Sequence, residues 1–277
     1  GNIIFILPYM DLYQDYFICK LIMVSFYYYK QKMSKIIYTF IFLLIGCTDT
    51  FNDPITFKAL NVKLSDYDEI LINREMGIHR VKGVNESDSS FGIIAVHGYY
   101  PNGWSSKGFE WMEPLSVLAR KGVPLWFYRY DWRACPDDLV DTLQNQIKEL
   151  IADKEHLDSL WIMGHSFGGL IVSLFSENWD EEFPITAHSV AAPLNSTTRE
   201  IEKCKPLNRA DYDIVKNINY FQWRTLHLQD GAFKKLEYDP QEITINNGKT
   251  ILLPKEWDGG RLGHNRSILF VSGLIID

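Results

Sequence analysis

The sequence predicts an α/β fold, a mostly parallel central sheet flanked by helices, on three observations. Short apolar runs alternate with helix-like segments four times along the chain. Such alternation is the mark of a parallel sheet with helical, right-handed crossovers. Strand candidates such as "FGIIAV" are continuously apolar, as strands buried on both faces are. At 277 residues with 46% apolar and 23% charged side chains, the chain has ordinary globular composition and enough material for one large core.

Taken in order, residues 55–82 read as a strand-rich entry region with charged turns, and "VNESDSS" at 84–90 as a loop. "FGIIAVHG" is a buried strand that stops at His97-Gly98. "WMEPLSVLARKG" reads as a helix closed by Gly122, and "PLWFYRYD" as the next strand. "CPDDLVDTLQNQIKELIADK" is an amphipathic helix: Pro136 sits in its first turn, Asp137 and Asp138 complement the dipole, and Leu139, Leu143, Ile147 and Leu150 share a face. Strand "SLWIM", helix "GGLIVSLFSENW" and strand "ITAHSVAA" follow. Residues 195–217 are polar and are expected as a small cap segment. Then come strand "QWRTLHLQ", a hairpin-like "ITINNGKTILL" and a last helix, "NRSILFVSGLI".

The amino end reads separately. Residues 1–32, which begin with Gly1, are apolar and aromatic without a period of 2 or 3.6, and are expected to be an upstream leader ahead of a start at Met33. The rival is a membrane helix, but Asp11, Asp15 and Lys20 break the run short of the ~20 apolar residues a span needs. From Met33, Lys35 precedes a ten-residue apolar stretch, Ile36 to Ile45, the size of a signal-peptide core. "LIGC" resembles the bacterial lipobox, which implies a signal peptide over 33–46, lipidation of Cys47, and a domain over 47–277 tethered to a membrane of the cell envelope.

The net charge of −7 and the scattered Lys and Arg argue against a nucleic-acid partner. The four cysteines, Cys19, Cys47, Cys135 and Cys204, form no C-x-x-C pair, and no H-E-x-x-H occurs, so no metal or cofactor is expected. Cys135 and Cys204 each lie just beyond a predicted strand. In an exported, oxidising compartment they are expected to form a disulfide.

Gly164-His165-Ser166-Phe167-Gly168 stands where a strand ends and a helix begins. It fits G-x-S-x-G in the context that motif requires: a sharp turn that lifts one serine above the carboxyl ends of the strands. With "VHGYYPNGW" after the first core strand, the chain resembles the α/β-hydrolase superfamily, in its lipase- and esterase-like branch, over about 91–277. The resemblance implies an α/β-hydrolase fold and an order of nucleophile, acid, base along the chain. Ser166 is the implied nucleophile. His264, in a glycine-flanked loop before the last helix, is the implied base. Asp230 is the first choice for the acid, Asp239 in "LEYDPQ" competes, and Asp258 reads as part of a turn.

His165 and His97 are expected to be structural, and His188 and His227 to lie within strands. The oxyanion donors implied are the backbone N–H groups of Phe167 and Tyr99, with Tyr100 as the alternative to Tyr99. Tyr99, Tyr100, Trp104, Phe109 and Trp111 read equally as an acyl pocket or as core. The activity implied is hydrolysis of a small-molecule or lipid ester through an acyl-enzyme. An amide, a thioester or acyl transfer on the same residues stays open, as does a non-catalytic binding role.

Overall fold

The computed structural model describes residues 55–56, 71, 74–82, 90–99, 109–154, 156–195, 204 and 209–276. Cys47, the expected leader and signal peptide, and most of 195–208 lie outside the described residues. Eight strands form the main sheet: β1 (Ile55–Thr56), β2 (Gly77–Lys82), β3 (Phe91–Val96), β4 (Leu125–Arg129), β5 (Ser159–His165), β6 (Ile185–Val190), β8 (Ile218–Arg224) and β10 (Gly248–Leu252). Their spatial order is β1-β2-β4-β3-β5-β6-β8-β10. Every pairing is parallel except β2 with β4.

Helix α1 (Phe109–Ala119) crosses from β3 to β4, and α2 (Pro136–Asp153) from β4 to β5. Helix α3 (Phe167–Asn178) joins β5 to β6, and α4 (His264–Ile276) closes the fold. α1 packs with α4, and α2 with α3. The continuous apolar runs follow from this sandwich. Ile94 and Val96 of β3 enter the core shared with α2 and α3, while Ile93 and Ala95 enter the one shared with α1 and α4. All four are fully buried. Pro136 occupies the first turn of α2 with Cys135 as N-cap, where its missing N–H costs nothing.

The chain leaves β3 toward β4 and returns across it to β5, so strand order reverses between β3 and β5. Their carboxyl ends therefore open on the crevice where sheets of this kind carry their sites.

Several expectations need correction. "ITINNGKTILL" is not a hairpin. β9 (Thr244–Asn246) pairs in parallel with β7 (Asp211–Asp213) in a separate two-stranded sheet, and β10 pairs in parallel with β8. Asn247, at φ 60°, turns the chain from one sheet to the other. "QWRTLHLQ" is strand only to Arg224. His227–Gln229 is a 3₁₀ turn, so His227 lies outside the sheet and its Nε2 donates to Phe233 O at 2.9 Å. The expected cap over 195–217 lies mostly outside the described residues; within that range β7 buries Tyr212 completely in the main core.

Cys135 and Cys204 form a disulfide with Cα atoms 5.4 Å apart, closing a separation of 69 residues. In the chain-entropy account such a loop contributes about 4 kcal/mol. Among the described residues, no helix is long and apolar enough to cross a membrane.

Candidate active site

Ser166 stands between β5 and α3 with φ 56° and ψ −122°. For a residue with a Cβ this is strained backbone, costing on the order of 1–3 kcal/mol, and it persists only where the surroundings over-determine it. They do so by close approach. A Cβ on Gly164 would lie 2.2 Å from Gly168 O, and one on Gly168 would lie 2.2 Å from His97 O and 2.4 Å from Val96 O. The glycines let the helix start sit directly on the ends of β5 and β3. Ser166 N donates to Val190 O at 2.8 Å, which ties the turn to β6. The serine itself is only half-buried.

The loop after β3 lies against this turn. A Cβ on Gly98 would be 3.1 Å from Ser166 Cβ and 3.7 Å from Ser166 Oγ. His97 holds the loop. Its Nε2 accepts Tyr130 N–H at 3.2 Å, so its proton is on Nδ1, which donates to Gly98 O at 2.6 Å. The ring stacks on Tyr130 at 4.0 Å, and Tyr130 OH donates to His97 O. Burial, helped by the charge of Arg129, pushes the His97 imidazole down to about 3, so it stays neutral. The Gly98 carbonyl and the Tyr99 amide belong to one planar peptide, so fixing the former orients the latter.

The Tyr99 ring packs edge-on to Trp132 at 4.3 Å, half-buried. Phe167 is the first residue of α3, and its N–H has no carbonyl to meet within the helix. Trp111 is core, packed edge-on to Phe127. Tyr100, Trp104 and the Phe109 side chain lie outside the described residues.

His264 opens α4 beside the serine turn. His165, the residue before Ser166, donates from Nε2 to His264 O at 2.9 Å, and the two rings lie 4.8 Å apart. Phe233 closes the other side with its ring nearly perpendicular at 4.9 Å. His264 Nδ1 donates to Asp230 Oδ2 at 3.0 Å, which leaves Nε2 of the neutral ring free of a proton.

Asp230 is fully buried. Its Oδ2 also accepts the Thr225 hydroxyl, and its Oδ1 accepts the backbone N–H groups of Ala232 at 2.8 Å and Phe233 at 3.2 Å. Burial alone would raise this carboxyl. The His264 hydrogen bond and charge, the Thr225 hydroxyl and the Ala232 amide outweigh it and hold the group below its ordinary value. A buried carboxylate with four donors stays ionised.

The competing acids sit elsewhere. Asp239 forms an ion pair with Arg224 at 2.8 Å. Asp258, at φ 48°, and Gly259 make the turn between β11 (Glu256–Trp257) and β12 (Gly260–Arg261). His188 is buried in β6, where it accepts Trp223 Nε1–H and stacks on Phe221; burial pushes it down to about 4. The structure thus brings together Ser166, His264, Asp230, the Gly98–Tyr99 peptide and Phe167. Thr225, Gln241 and Phe233 join them without having been picked out from sequence.

No curated protein matches the chain. Among solved structures, an alpha-beta serine hydrolase homologue from Coxiella burnetii is 14% identical, covering 72% of this chain and 88% of its own, with a TM-score of 0.44. A Pyrococcus furiosus esterase is 13% identical over 80% of this chain and 95% of its own, with a TM-score of 0.43. A serine hydrolase from Xanthomonas campestris is 14% identical over 72% and 84%, with a TM-score of 0.43. The family model described as "Alpha/beta hydrolase family" matches residues 93–236, more than half of the sequence, and the chain belongs to that family.

Proposed function

We propose that the protein is a serine hydrolase that cleaves a carboxylic ester through an acyl-enzyme. The observation that carries this reading is the His264 Nδ1–H bond to a fully buried, four-donor carboxylate beside the strained serine turn. A serine hydroxyl is a weak nucleophile and needs an adjacent base with a fixed tautomer.

Ser166 Oγ bonds to the ester carbonyl carbon as its proton passes to His264 Nε2. Asp230 stabilises the resulting imidazolium. The amides of Phe167 and Tyr99 hold the oxyanion. Collapse breaks the bond to the alcohol oxygen, which takes the proton from Nε2. Water then repeats the sequence on the acyl-enzyme, releasing the acid and restoring Ser166. Turnover of p-nitrophenyl esters of rising chain length tests the reading. Ser166→Ala is expected to lose on the order of 10⁴- to 10⁶-fold in kcat with the fold intact. Undiminished turnover by that variant contradicts it.

The membrane tether is a second part of the proposal. It is supported by the lipobox-like "LIGC" and by the Cys135–Cys204 disulfide, a bond that persists in exported compartments. Expressed from Met33, the protein is expected to take up labelled palmitate and Cys47→Ser to lose it; uptake by Cys47→Ser refutes the anchor.

A further inference from the structure

Behind Asp230 lies a polar network that the proposed chemistry does not use. Thr225, Gln241, Gln222 and Asp230 are all 0–1% exposed. Gln241 clamps the main chain of Thr225 at two points: its Oε1 accepts Thr225 N–H at 3.0 Å and its Nε2 donates to Thr225 O at 3.2 Å. The same Nε2 donates to Asp239 Oδ1 at 3.2 Å, which also accepts Gln241 N–H at 3.0 Å. Asp239 Oδ2 is held by Arg224.

The carboxylate of Asp239 accepts only, so the amide of Gln241 has one orientation, with its oxygen toward Thr225. The Thr225 hydroxyl therefore faces two acceptors, Asp230 Oδ2 and, at 3.1 Å, Gln241 Oε1. It has one proton, and the charged oxygen takes it. That oxygen is the one bonded by His264 Nδ1.

We propose that Thr225, clamped by Gln241, is a positioning residue that fixes Asp230 Oδ2 under His264 and keeps the carboxylate ionised while the imidazolium forms. The inference rests on the roles given above to Asp230 and His264. It also gives Asp239 a place. Asp239 stands at the far end of the same network, neutralised by Arg224, and orients the clamp rather than the base. The titratable groups around the Asp230–His264 pair are His165, its ring 4.8 Å from that of His264, His227 in the turn before Asp230, and the Arg224–Asp239 pair beyond Gln241.

Thr225→Val removes the hydroxyl, nearly keeps the volume and leaves both main-chain bonds to Gln241. Thr225→Ser keeps the donor. Two readouts separate positioning from packing. The first is the pH midpoint of the Asp230–His264 pair, followed by imidazole NMR in the resting protein, which needs no substrate. Thr225→Val is expected to move it to higher pH, because a carboxylate that loses a donor makes the pair hold its proton more tightly, and Thr225→Ser to restore it.

The second readout is ester turnover: roughly tenfold lower kcat for Thr225→Val, the order of one charge-assisted hydrogen bond, with KM within about twofold. Thr225→Ala carries the same test should valine not be accommodated. An unmoved midpoint in a folded hydroxyl-free variant overturns the proposal. A moved midpoint in a protein that turns over no ester leaves Thr225 in its role and overturns the ester reading instead.

Discussion

Asp230→Asn is the substitution in which the surroundings decide the outcome most sharply. The carboxylate receives four donors: Ala232 N–H and Phe233 N–H on Oδ1, and the Thr225 hydroxyl and His264 Nδ1–H on Oδ2. An asparagine keeps its oxygen on the two amides, which cannot change role, and presents its NH₂ to Thr225 and His264. Both of those can adapt. The Thr225 hydroxyl accepts from the amide and turns its own proton to Gln241 Oε1, 3.1 Å away. His264 accepts at Nδ1 and carries its proton on Nε2.

Nothing is left unpaired, so the variant is expected to fold. Stability falls by about 1–3 kcal/mol as charge-assisted bonds become neutral ones. The imidazole is now in the tautomer that cannot accept the serine proton, and kcat is expected to fall about 10⁴-fold, some 5 kcal/mol of transition-state stabilisation. Asp239→Asn keeps an oxygen for the Gln241 contacts but turns its NH₂ toward the Arg224 guanidinium, donor against donor, so the ion pair is lost and stability falls while the clamp on Thr225 stands, and its kcat is expected to fall tenfold or less. Ester kinetics beside urea unfolding of both variants supply the numbers. A folded Asp230→Asn within tenfold of wild type, with the large loss moved to Asp239→Asn, refutes the assignment.

Gly168→Ala puts a Cβ about 2 Å from two backbone oxygens at the end of β3, which cannot yield as a side chain would. It is expected to lower stability by at least 1–3 kcal/mol and to displace the loop bearing Tyr99, read as a lower Tm together with lost ester turnover; unchanged values contradict the close-packed turn. Stability is also expected to fall on mild acidification. His97 and His188, held down to about 3 and about 4, stay neutral in the fold, while in the unfolded chain both take up protons below about 6.5. Each therefore removes roughly 2 kcal/mol between pH 8 and pH 5, with loss continuing toward pH 4. Urea unfolding free energies that are flat across that range exclude the effect.

The sheet was legible because burial on both faces writes itself as unbroken apolar runs, as in β3, and because a serine among glycines has few uses between a strand and a helix. His264 was picked out by its glycine-flanked position next to the last helix, a helix that it opens and does not precede. Asp230 was the first choice for the acid because it ends a predicted strand, but Asp239, nine residues further on, stayed in competition because nothing local ties either one to the histidine. Long-range partners separate them: Arg224 turns toward one, and the His264 loop packs on the other. Thr225 and Gln241 left no local trace, because their contact spans 16 residues and depends on how the loop after β8 folds back. The β7–β9 pair was missed because β7 is three residues long with one inward side chain, Tyr212, and that pattern does not distinguish a strand from a polar loop.

The role of Ser166 as the activated nucleophile is the central claim, and mass spectrometry reads it directly. After reaction with a fluorophosphonate, the wild-type protein is expected to carry one adduct, found on the peptide containing "GHSFGG" and localised to Ser166 by fragmentation. Ser166→Ala is expected to carry none, and Asp230→Asn to label far more slowly than wild type. An adduct on another residue, or labelling that persists in Ser166→Ala, contradicts the account.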